Sequence, residues 1–371
     1  MPSLVFAYPG YFNTPTGGYG YDRRIVAGLR TLGWEVDLVS LGDGFPFPTE
    51  ETLRLAEARL SSVPEGSLVV VDGLALGVMA EAMERLQDRI TLIALVHHPL
   101  CVENGLSKEQ AEALFQSENN VLAFARRIIV TSPATGPQVE ELFGISPDRI
   151  TAVLPGTEKP EPYERPQNDV TRLLSVGTLL PRKGYDLLLT ALASLKNLRW
   201  HLDIVGGLEA DPECYQALLA QARELELLDR ITFHGAVPAQ DLGDFYRSAE
   251  IFVLASRYEG YGMAYTEALA HGLAVIGSGG GAVKETLPEK AAIYCGVEDV
   301  DALRDALETL ISDREKRAGL STEARKAAEL LPDWTDAARK FADLLQDNGR
   351  EWFFTSMACL ARTGRSGGSQ C

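Results

Sequence analysis

Apolar runs of strand length recur along the whole chain, and segments with helical spacing of Leu and Ala separate them. Many of these runs are continuously apolar, as expected of parallel strands that are covered on both faces. None approaches the roughly 20 apolar residues that a bilayer-spanning helix needs. The pattern therefore predicts an α/β protein built on parallel sheets. The predicted strands lie near Leu4–Tyr8, Glu35–Ser40, Ser67–Asp72, Ile90–Val96, Arg127–Thr131, Ile150–Leu154, Arg172–Val176, Trp200–Val205, Arg230–Phe233, Glu250–Ala255, Leu273–Gly277 and Ala291–Tyr294.

A proline-rich segment, from Pro155 to about Asp169, separates the first six strands from the last six. Its composition is that of a hinge. Two successive β-α arrays predict two doubly wound, Rossmann-like domains that face each other across a cleft, and ligands in such folds bind beyond the carboxyl ends of the strands. The predicted boundaries are residues 1–160 for the N-terminal domain, 161–334 for the C-terminal domain, 335–347 for a C-terminal helix and 348–371 for a tail of unknown role.

Charge and cysteine usage limit the partners of the chain. The 371 residues include 35 Lys and Arg against 52 Asp and Glu, a net charge of −17. Such a surface repels nucleic acid and anionic lipid unless cations cluster in one place, and we find no such cluster. We therefore expect no nucleic-acid partner, and a membrane surface is disfavoured. The five cysteines are scattered and the chain opens without a signal-like segment, so we expect reduced thiols in a cytoplasmic protein.

The most informative stretch, residues 256–272, follows a buried-looking strand and enters a helix through two glycines. Gly260 and Gly262 allow the backbone to approach a ligand closely, and the amides of a helix N-terminus favour an anion such as phosphate. Glu259 precedes the helix and Glu267 lies inside it, so the two carboxylates would meet one ligand at different depths and accept hydrogen bonds from hydroxyls. The alternative is a glycine-loosened turn with two solvated glutamates, since an E-x7-E spacing alone is common.

Through residues 259–272, which closely match the motif E-G-[FY]-G-x3-x-E-A-x-A-x-G, the chain resembles the retaining GT-B glycosyltransferases of glycosyltransferase family 4. The resemblance covers nearly all of residues 1–347. It implies a GT-B fold with an acceptor-side N-terminal domain and a C-terminal domain that binds a nucleotide-sugar. It also implies that Glu259 contacts the transferred sugar and Glu267 the ribose of the donor. Backbone amides would hold the sugar and its diphosphate, and they belong to Gly260, Tyr261, Gly262, Met263 and Ala264.

A second match, from Val176 to Gly184, leads from a predicted strand into a Leu-rich helix. A cation at a strand end facing the cleft can neutralise a departing diphosphate, and Lys183 matches the phosphate-binding lysine of the family. The family usually has an arginine directly after the first glycine, where this chain has Thr178. Either Arg182 or Arg257 supplies the second positive charge, or the leaving group depends on Lys183 and helix dipoles. A surface Arg-Lys pair ahead of a helix is the alternative.

Two segments of the N-terminal half complete the resemblance. One follows the first strand and is similar to the glycine-rich loop of the family, in which Gly17 and Gly18 would approach the donor phosphates and the acceptor. His97 and His98 end the fourth strand, where the family has a histidine beside the reacting sugar. We favour His97, with a purely structural histidine pair as the alternative. The pair is not interpreted as a metal site, because no third ligand is evident near it.

Smaller segments resemble the rest of the donor site, although each is equally compatible with scaffold. Gly206 matches the family's nucleotide-contacting V-G-x-G, Val237 belongs to a segment whose backbone would pair with the base, and Gly156 lies at the domain junction. Asp299 and Asp301 fit the D-x-D pattern by which other glycosyltransferases bind Mn²⁺. Asp299 is better explained as a helix N-cap with acidic support in the first turn. No metal site is therefore predicted.

Together these features predict a retaining, metal-independent glycosyltransferase that moves a hexose from a nucleotide-diphosphate sugar to a hydroxyl of a small molecule or glycan. Lys183, Glu259 and His97 would be its catalytic residues, and a UDP-sugar is preferred by family frequency. No cofactor beyond the donor substrate is expected. One rival is a sugar phosphorylase or nucleotide-sugar epimerase on the same scaffold, because fold does not fix function. Another is a non-catalytic nucleotide-sugar sensor.

Overall fold

The computed structural model describes residues 1–103, 105–166 and 168–347; the predicted tail, residues 348–371, lies outside the described residues. The strands are β1 (Ser3–Tyr8), β2 (Glu35–Ser40), β3 (Leu68–Asp72), β4 (Thr91–Val96), β5 (Arg127–Val130), β6 (Ile150–Ala152), β7 (Thr171–Val176), β8 (Trp200–Val205), β9 (Ile231–Phe233), β10 (Ile251–Leu254), β11 (Tyr258–Glu259), β12 (Ala274–Gly277), β13 (Gly280–Gly281) and β14 (Ala292–Tyr294). The helices are α1 (Gly17–Thr31), α2 (Glu50–Ser61), α3 (Gly73–Leu76), α4 (Ala80–Leu86), α5 (Lys108–Phe124), α6 (Thr135–Phe143), α7 (Tyr185–Ala193), α8 (Pro212–Glu224), α9 (Ala239–Ser248), α10 (Met263–Ala270), α11 (Val283–Thr286), α12 (Val300–Ser312), α13 (Arg314–Glu329) and α14 (residues 334–347). Short 3-10 turns lie at Leu100–Val102, Pro147–Arg149 and Pro181–Lys183.

The first sheet has the strand order β2-β1-β3-β4-β5-β6, and its strands are all parallel. Its central strands are buried on both faces, as Phe6, Val70 and Ile93 illustrate with no exposed surface, because helices cover the sheet from both sides. Parallel strands place their carboxyl ends at one edge of the sheet. The segments that follow β1, β3 and β4 therefore lie side by side at that edge.

The second sheet, β14-β12-β10-β7-β8-β9, is also parallel throughout. The strands of both sheets agree with the predicted ones to within two residues, so the prediction of two parallel-sheet α/β domains is confirmed. The sequence did not predict the short strands β11 and β13. They pair Tyr258 with Gly280 and Glu259 with Gly281, which fixes the backbone of Glu259 beside a glycine-rich segment.

Helix α14 crosses from the second half of the chain back onto the first sheet. Phe341 and Leu345 are buried in the same cluster as Phe6. Gly28 in α1 allows this close approach, since a Cβ at that position would lie 2.4 Å from the Cβ of Ala338. The two halves are thus joined twice, by the segment between β6 and β7, where the predicted boundary at residue 160 falls, and by α14.

The carboxyl edges of the two sheets face each other across a cleft and touch at its margins. Tyr258 Oη donates a hydrogen bond to Gln138 Oε1 at 2.9 Å. Gly260 lies against the backbone of His97, and a Cβ at residue 260 would be only 2.6 Å from that carbonyl oxygen. Loops of both halves therefore surround one cleft. None of the helices in the described part of the chain combines the length and apolar content that a bilayer-spanning helix requires.

Candidate active site

The segment between β10 and α10 forms the centre of the cleft on its C-terminal side. Glu259 ends β11, and only 5% of the residue is exposed. Ser256 Oγ donates a hydrogen bond to Glu259 Oε1 at 2.5 Å. Gly262 has a φ of +88°, which glycine adopts without steric cost, and it turns the chain into α10. No side chain caps the first amides of this helix, and its first turn contains no acidic residue.

Lys183 reaches Glu259 from the neighbouring segment between β7 and α7. Its Nζ lies 2.6 Å from Glu259 Oε1, and its side chain is only 14% exposed. Gly184 allows this segment to pack directly on the end of β10, since a Cβ there would lie 1.9 Å from the carbonyl oxygen of Ala255. The lysine and the glutamate that the sequence singled out therefore meet as a largely buried ion pair.

Two cations keep Glu259 ionised. Arg182 Nη1 lies 3.6 Å from Glu259 Oε2, beside the shorter contact from Lys183. Burial acts to raise the pKa of Glu259, but the charges of Lys183 and Arg182 and the hydrogen bonds from Lys183 and Ser256 bring it below its ordinary value. Both carboxylate oxygens of Glu259 are consequently held by cationic partners.

The structure distinguishes between the two arginines considered for the second positive charge. Arg182 enters the cleft, where its Nε also lies 3.3 Å from Glu103 Oε1 on the N-terminal side. Arg257 instead forms ion pairs with Asp186 at 2.7 Å and Glu298 at 2.6 Å. Of the two, only Arg182 reaches the centre of the cleft.

Glu267 lies deeper, inside α10, and has different partners from Glu259. Tyr246 Oη donates a hydrogen bond to Glu267 Oε2 at 2.8 Å. Burial raises the pKa of Glu267, and the hydrogen bond from Tyr246 opposes that rise. The formal charges that act on it belong to Glu158, in the hinge, and Arg24, on α1. The second glutamate of the motif is therefore placed towards the hinge, away from the ion pair at Glu259.

On the N-terminal side, His97 follows β4 and lies between two buried carboxylates. Its Nε2 lies 3.2 Å from Asp22 Oδ1 and 3.6 Å from Asp72 Oδ2. Asp22, on α1, has no exposed surface, and Asp72, at the end of β3, is 4% exposed. Asp72 Oδ1 accepts a hydrogen bond from the Leu74 amide at 2.7 Å. Asp22 Oδ2 is buried without a hydrogen-bond partner.

These contacts keep His97 protonated. Burial acts to lower the pKa of His97, but the hydrogen bonds and charges of Asp22 and Asp72 raise it to about 10. Burial and the charge of Asp72 raise the pKa of Asp22 to about 7, against the opposing effect of His97. Burial also acts upward on Asp72, yet hydrogen bonds and the charge of His97 leave its pKa lowered. At neutral pH the His97 side chain is therefore an imidazolium facing the cleft.

The same three side chains bear on the question of a metal. In the described part of the chain, the group whose ligand atoms lie close enough together to hold an ion is Asp22, Asp72 and His97. The sequence-based view that no third ligand lies near the histidine was therefore wrong, because two carboxylates distant in sequence converge on it. In the structure His97 Nε2 is within hydrogen-bond distance of Asp22 Oδ1, at 3.2 Å, and lies 3.6 Å from Asp72 Oδ2. Metal independence stays a prediction.

Gly17 and Gly18 begin α1 directly beside His97. A Cβ on Gly18 would lie 3.6 Å from the imidazole ring, and one on Gly17 would lie 3.6 Å from Met263 Cε at the start of α10. No side chain caps α1, and its first turn contains no acidic residue, so its first amides are suited to an anion. The other histidine considered, His98, is paired instead with Glu103 at 2.5 Å.

The remaining candidate donor contacts lie at the edge of the second sheet or at the hinge and make close scaffold contacts. A Cβ on Gly206 would lie 1.9 Å from the carbonyl oxygen of Gly177, and one on Gly156 would lie 2.3 Å from the backbone nitrogen of Trp334. Val237 packs against the C-terminal core. Close packing explains these glycines by itself, and the nucleotide-binding roles of these residues stay predictions.

The structure also places two further residues of the glutamate motif, Tyr261 and Ala264, and the aspartate that begins the D-x-D segment, Asp299. Tyr261 is buried and its carbonyl oxygen accepts a hydrogen bond from Thr286 Oγ1 at 2.7 Å, while Ala264 packs against the C-terminal core. Asp299 Oδ1 accepts a hydrogen bond from the Ala302 amide at 2.9 Å and caps α12. The prediction that Asp299 is an N-cap is confirmed.

Comparison with known families matches residues 158–327 to the family described as Glycosyl transferases group 1. The matched segment contains Arg182, Lys183, Glu259 and Glu267 and all strands of the second sheet. This segment is similar to a glycosyl transferases group 1 domain. The predicted enzyme class, a glycosyltransferase, is thereby confirmed at the level of the domain.

Curated relatives carry names of the same class. The chain is 29% identical over 240 residues to mannosylfructose-phosphate synthase of Agrobacterium fabrum, a match that covers 59% of this chain and 52% of the relative. It is 30% identical over 184 residues to a GDP-mannose-dependent alpha-(1-6)-phosphatidylinositol monomannoside mannosyltransferase of Mycobacterium tuberculosis, covering 47% of each. The chain thus spans about half the length of the curated relatives it matches.

Solved structures resemble the chain over nearly its whole length. Sucrose-phosphate synthase from Thermosynechococcus elongatus matches with a TM-score of 0.78 at 20% identity, covering 94% of this chain and 100% of that one. The Anabaena protein HepE, solved in complex with UDP and glucose, matches with a TM-score of 0.76 at 18% identity and the same coverage. These likenesses, together with the two facing parallel sheets, confirm the predicted GT-B fold.

Sequence reasoning missed three acidic residues of the cleft: Asp22, Asp72 and Glu103. A signal for Asp72 was available, because it ends the apolar strand β3, which pairs with β4 in the register Asp72 to Leu95. Carboxyl ends of adjacent parallel strands meet at one edge, so Asp72 could have been placed beside His97. Asp22 lies on a helix and Glu103 in a loop, and neither has a pattern that reveals its partner.

Proposed function

We propose that the protein is a retaining glycosyltransferase of family 4 that transfers a hexose from a nucleotide-diphosphate sugar to a hydroxyl of an acceptor, without a metal ion. The observation that carries the proposal is a convergence at one cleft. The Lys183–Glu259 ion pair lies at 2.6 Å on one side, and the protonated His97 lies on the other. Neither α1 nor α10 has a side-chain cap, and the side chain of Met263, which begins α10, reaches Gly17, which begins α1: a Cβ there would lie 3.6 Å from Met263 Cε.

The diphosphate leaving group is the first requirement of this chemistry. Breaking the bond between the anomeric carbon and the diphosphate oxygen leaves the electron pair on that oxygen, so negative charge develops there. Lys183 and Arg182 are cations on one side of the cleft, and the amides at the start of α1 and α10 add positive ends of helix dipoles. Preorganised donors of this kind, aimed at developing charge, are a large source of catalysis.

The state of Glu259 supports retention by a front-face route. A double-displacement route would need a free carboxylate to attack the anomeric carbon. Glu259 Oε1 is held by Lys183 and Ser256, and Oε2 lies beside Arg182, so this carboxylate is better suited to accept hydrogen bonds from sugar hydroxyls. In our proposal the acceptor oxygen bonds to the anomeric carbon on the face that the diphosphate leaves, and its proton passes to a phosphate oxygen.

The donor is proposed to be a UDP-hexose, with a GDP-hexose as the competing choice. HepE was solved with UDP and with UDP-glucose, whereas the mycobacterial relative is named as GDP-mannose-dependent. The two bases present different edges to the backbone near Val237. Thermal-shift titration with UDP-glucose and GDP-mannose, each beside its free nucleotide, would distinguish between them.

Substitution of Lys183 tests the proposal. Lys183→Ala should lower kcat on the order of 10²-fold or more, because the charge on the leaving group loses its nearest cation. Lys196→Ala is the matched control: Lys196 forms an ion pair with Glu226 at 2.8 Å and lies between α7 and β8, at the opposite edge of the sheet. Turnover that is equal in Lys183→Ala and Lys196→Ala would reject the assignment. A rate that falls after EDTA treatment and returns with Mn²⁺ would reject metal independence.

A further inference from the structure

The segments that follow the first five strands of the N-terminal sheet contain no lysine or arginine among their described residues. All six parallel strands of the first sheet end at the cleft edge, and β6 leads into the hinge. The described residues that follow the other five strands, β1 to β5, lie in segments 9–16, 41–49, 73–79, 97–103 with 105–107, and 131–134. None of these residues is Lys or Arg. A pocket that binds a phosphate ester normally supplies at least one such cation, because a desolvated phosphate needs charge-assisted hydrogen bonds.

Two basic residues that flank these segments, Arg23 and Lys108, do not supply such a cation. Arg23, in the second turn of α1, donates from Nη1 to the carbonyl oxygens of Phe12 at 2.6 Å and Thr14 at 3.0 Å. Its guanidinium therefore holds the loop after β1 in place. Lys108 is the first residue of α5 and is exposed to solvent. A solvated lysine at a helix start is a weak substitute for a buried phosphate site.

Acidic and phenolic groups occupy the edge instead. A Cβ placed on Gly10 would lie 3.1 Å from Tyr19 Oη and 3.5 Å from Asp43 Oδ1, so both oxygens border one point of the loop. Burial and the charges of Asp72, Asp22 and Asp43 raise the pKa of the Tyr19 phenol. Tyr19 directly follows Gly18, where a Cβ would lie 3.6 Å from the His97 ring. This acidic edge therefore adjoins the proposed reaction centre.

Two large aromatic side chains stand exposed on the same pair of loops. Tyr11, after β1, is 68% exposed, and Phe47, after β2, is 54% exposed. The two loops are joined by the backbone hydrogen bond from the Gly10 amide to the Gly42 carbonyl oxygen at 2.6 Å. Exposed aromatic rings offer flat apolar faces, while carboxylates accept hydrogen bonds from hydroxyls. This combination suits a ligand with many hydroxyls, apolar faces and no negative charge.

We propose that the acceptor is an uncharged sugar or glycoside, whose hydroxyls are bound by Asp43 and whose ring packs on Tyr11 and Phe47, and that phosphorylated sugars are rejected. This inference rests on the proposed glycosyltransferase function and specifies its second substrate. Like charges brought together in a binding site suppress the wrong partner. The acidic edge thus repels a sugar phosphate and also accepts hydrogen bonds from the hydroxyls of a neutral sugar.

Matched acceptor pairs test the inference. The wild-type protein is assayed with UDP-glucose or GDP-mannose, whichever it binds, against methyl glucoside and glucose 6-phosphate, fructose and fructose 6-phosphate, and myo-inositol and myo-inositol 3-phosphate. In each reactive pair, kcat/KM should be at least about 10-fold higher for the neutral member. A higher kcat/KM for any phosphate ester than for its neutral partner would overturn the inference. Saturable binding of the ester, but not of its neutral partner, to the nucleotide-loaded protein would overturn it too. Failure of both sugar nucleotides to bind or hydrolyse would instead reject the proposed function.

Two variants and a control make the test specific for this edge. Asp43→Lys should reduce the preference for the neutral member by about 10-fold, a change in ratio that general damage to the fold would not produce. Phe47→Ala should raise KM for the neutral acceptor more than it lowers kcat. Leu228→Ala is the control, because Leu228 is 45% exposed but precedes β9, at the edge of the second sheet away from the cleft. Two results together would refute the proposed site. The ratio of kcat/KM for the neutral acceptor to kcat/KM for its phosphate ester would be unchanged in Asp43→Lys, and KM in Phe47→Ala would equal KM in Leu228→Ala.

Discussion

Replacing Asp22 by Asn would test whether buried carboxylates keep His97 charged. The substitution preserves the shape of the side chain and removes one negative charge from a position 3.2 Å from His97 Nε2. Asp72 remains, 3.6 Å from the same atom. We expect the pKa of His97 to fall, and with it the upper pH limit of any activity that needs the imidazolium.

The size of the effect follows from the geometry. The two carboxylates raise the pKa of His97 from 6.5 to about 10 despite its burial. One opposite charge within about 4–6 Å typically shifts a pKa by about 1–3 units. Asp22→Asn should therefore bring the pKa of His97 to between about 7 and 9. Asp22 itself titrates at about 7, so the variant should differ from wild type above that pH and little below it.

The same shift predicts how stability changes with pH. An unfolded histidine loses its proton as the pH rises through about 6.5, whereas folded His97 loses it only as the pH rises through about 10. The folded state then binds more protons, so its stability falls as pH rises through this window, by at most about 1.4 kcal/mol per pH unit. Asp22 has finished titrating above about pH 8 and leaves this slope unchanged. In Asp22→Asn the window should end earlier and the alkaline loss should be smaller.

Nitrogen NMR of histidine-labelled protein measures the pKa directly. The sequence contains five histidines, and the spectrum of His97→Gln identifies the His97 signals. Urea unfolding at pH 7.5 and 9.5 supplies the stability comparison. A neutral His97 imidazole in the wild-type protein at pH 8, or an identical His97 pKa in wild type and Asp22→Asn, would refute the reasoning.

Two further predictions concern the C-terminal side of the cleft. Gly260→Ala should lower kcat/KM by about 10²-fold with little change in Tm, because its Cβ would press on the His97 carbonyl oxygen at 2.6 Å and force the two sides of the cleft apart. Gly319→Ala is the control, since a Cβ at that position meets no atom within 4 Å. Equal values of kcat/KM in the two variants would contradict the contact between Gly260 and His97. Arg182→Gln should lower kcat by about 10-fold and leave Tm nearly unchanged, whereas Arg257→Gln should lower Tm and leave kcat nearly unchanged. Steady-state kinetics measures kcat and calorimetry measures Tm. The reverse pattern would mean that Arg257, and not Arg182, acts in the cleft.

The sequence predicted the strands well because their pattern is local. Continuous apolar runs such as Leu68–Val71 and Ile251–Leu254 identify buried parallel strands without knowledge of their neighbours. The hinge composition then separates them into two sheets. The short pairing of β11 with β13 could not be predicted, because it depends on Glu259 meeting Gly281 from a distant part of the chain.

The candidate site was predictable only where its residues lie in a local motif. Glu259, Glu267 and the glycines between them share one strand-to-helix turn, and Lys183 follows a strand that ends at the same edge. Asp22 was missed, because nothing local shows that one buried residue of α1 faces a strand end 75 residues away. The choice between Arg182 and Arg257 likewise required the structure, since both lie close in sequence to motif residues.

The distribution of charge in the cleft indicates what attracts the diphosphate. Lys183, Arg182 and His97 each already face at least one carboxylate, so their net pull on an incoming anion is reduced. The N-termini of α1 and α10 carry no such compensation, because neither has a side-chain cap or an acidic residue in its first turn, whereas α12 and α13 are each capped by an aspartate. Donor binding should therefore depend mainly on these helix amides, while Lys183 acts when the leaving group gains charge. On this reasoning Lys183→Ala lowers kcat far more than it weakens nucleotide binding, and an equal loss in both would show that the lysine, not the helices, holds the ground state.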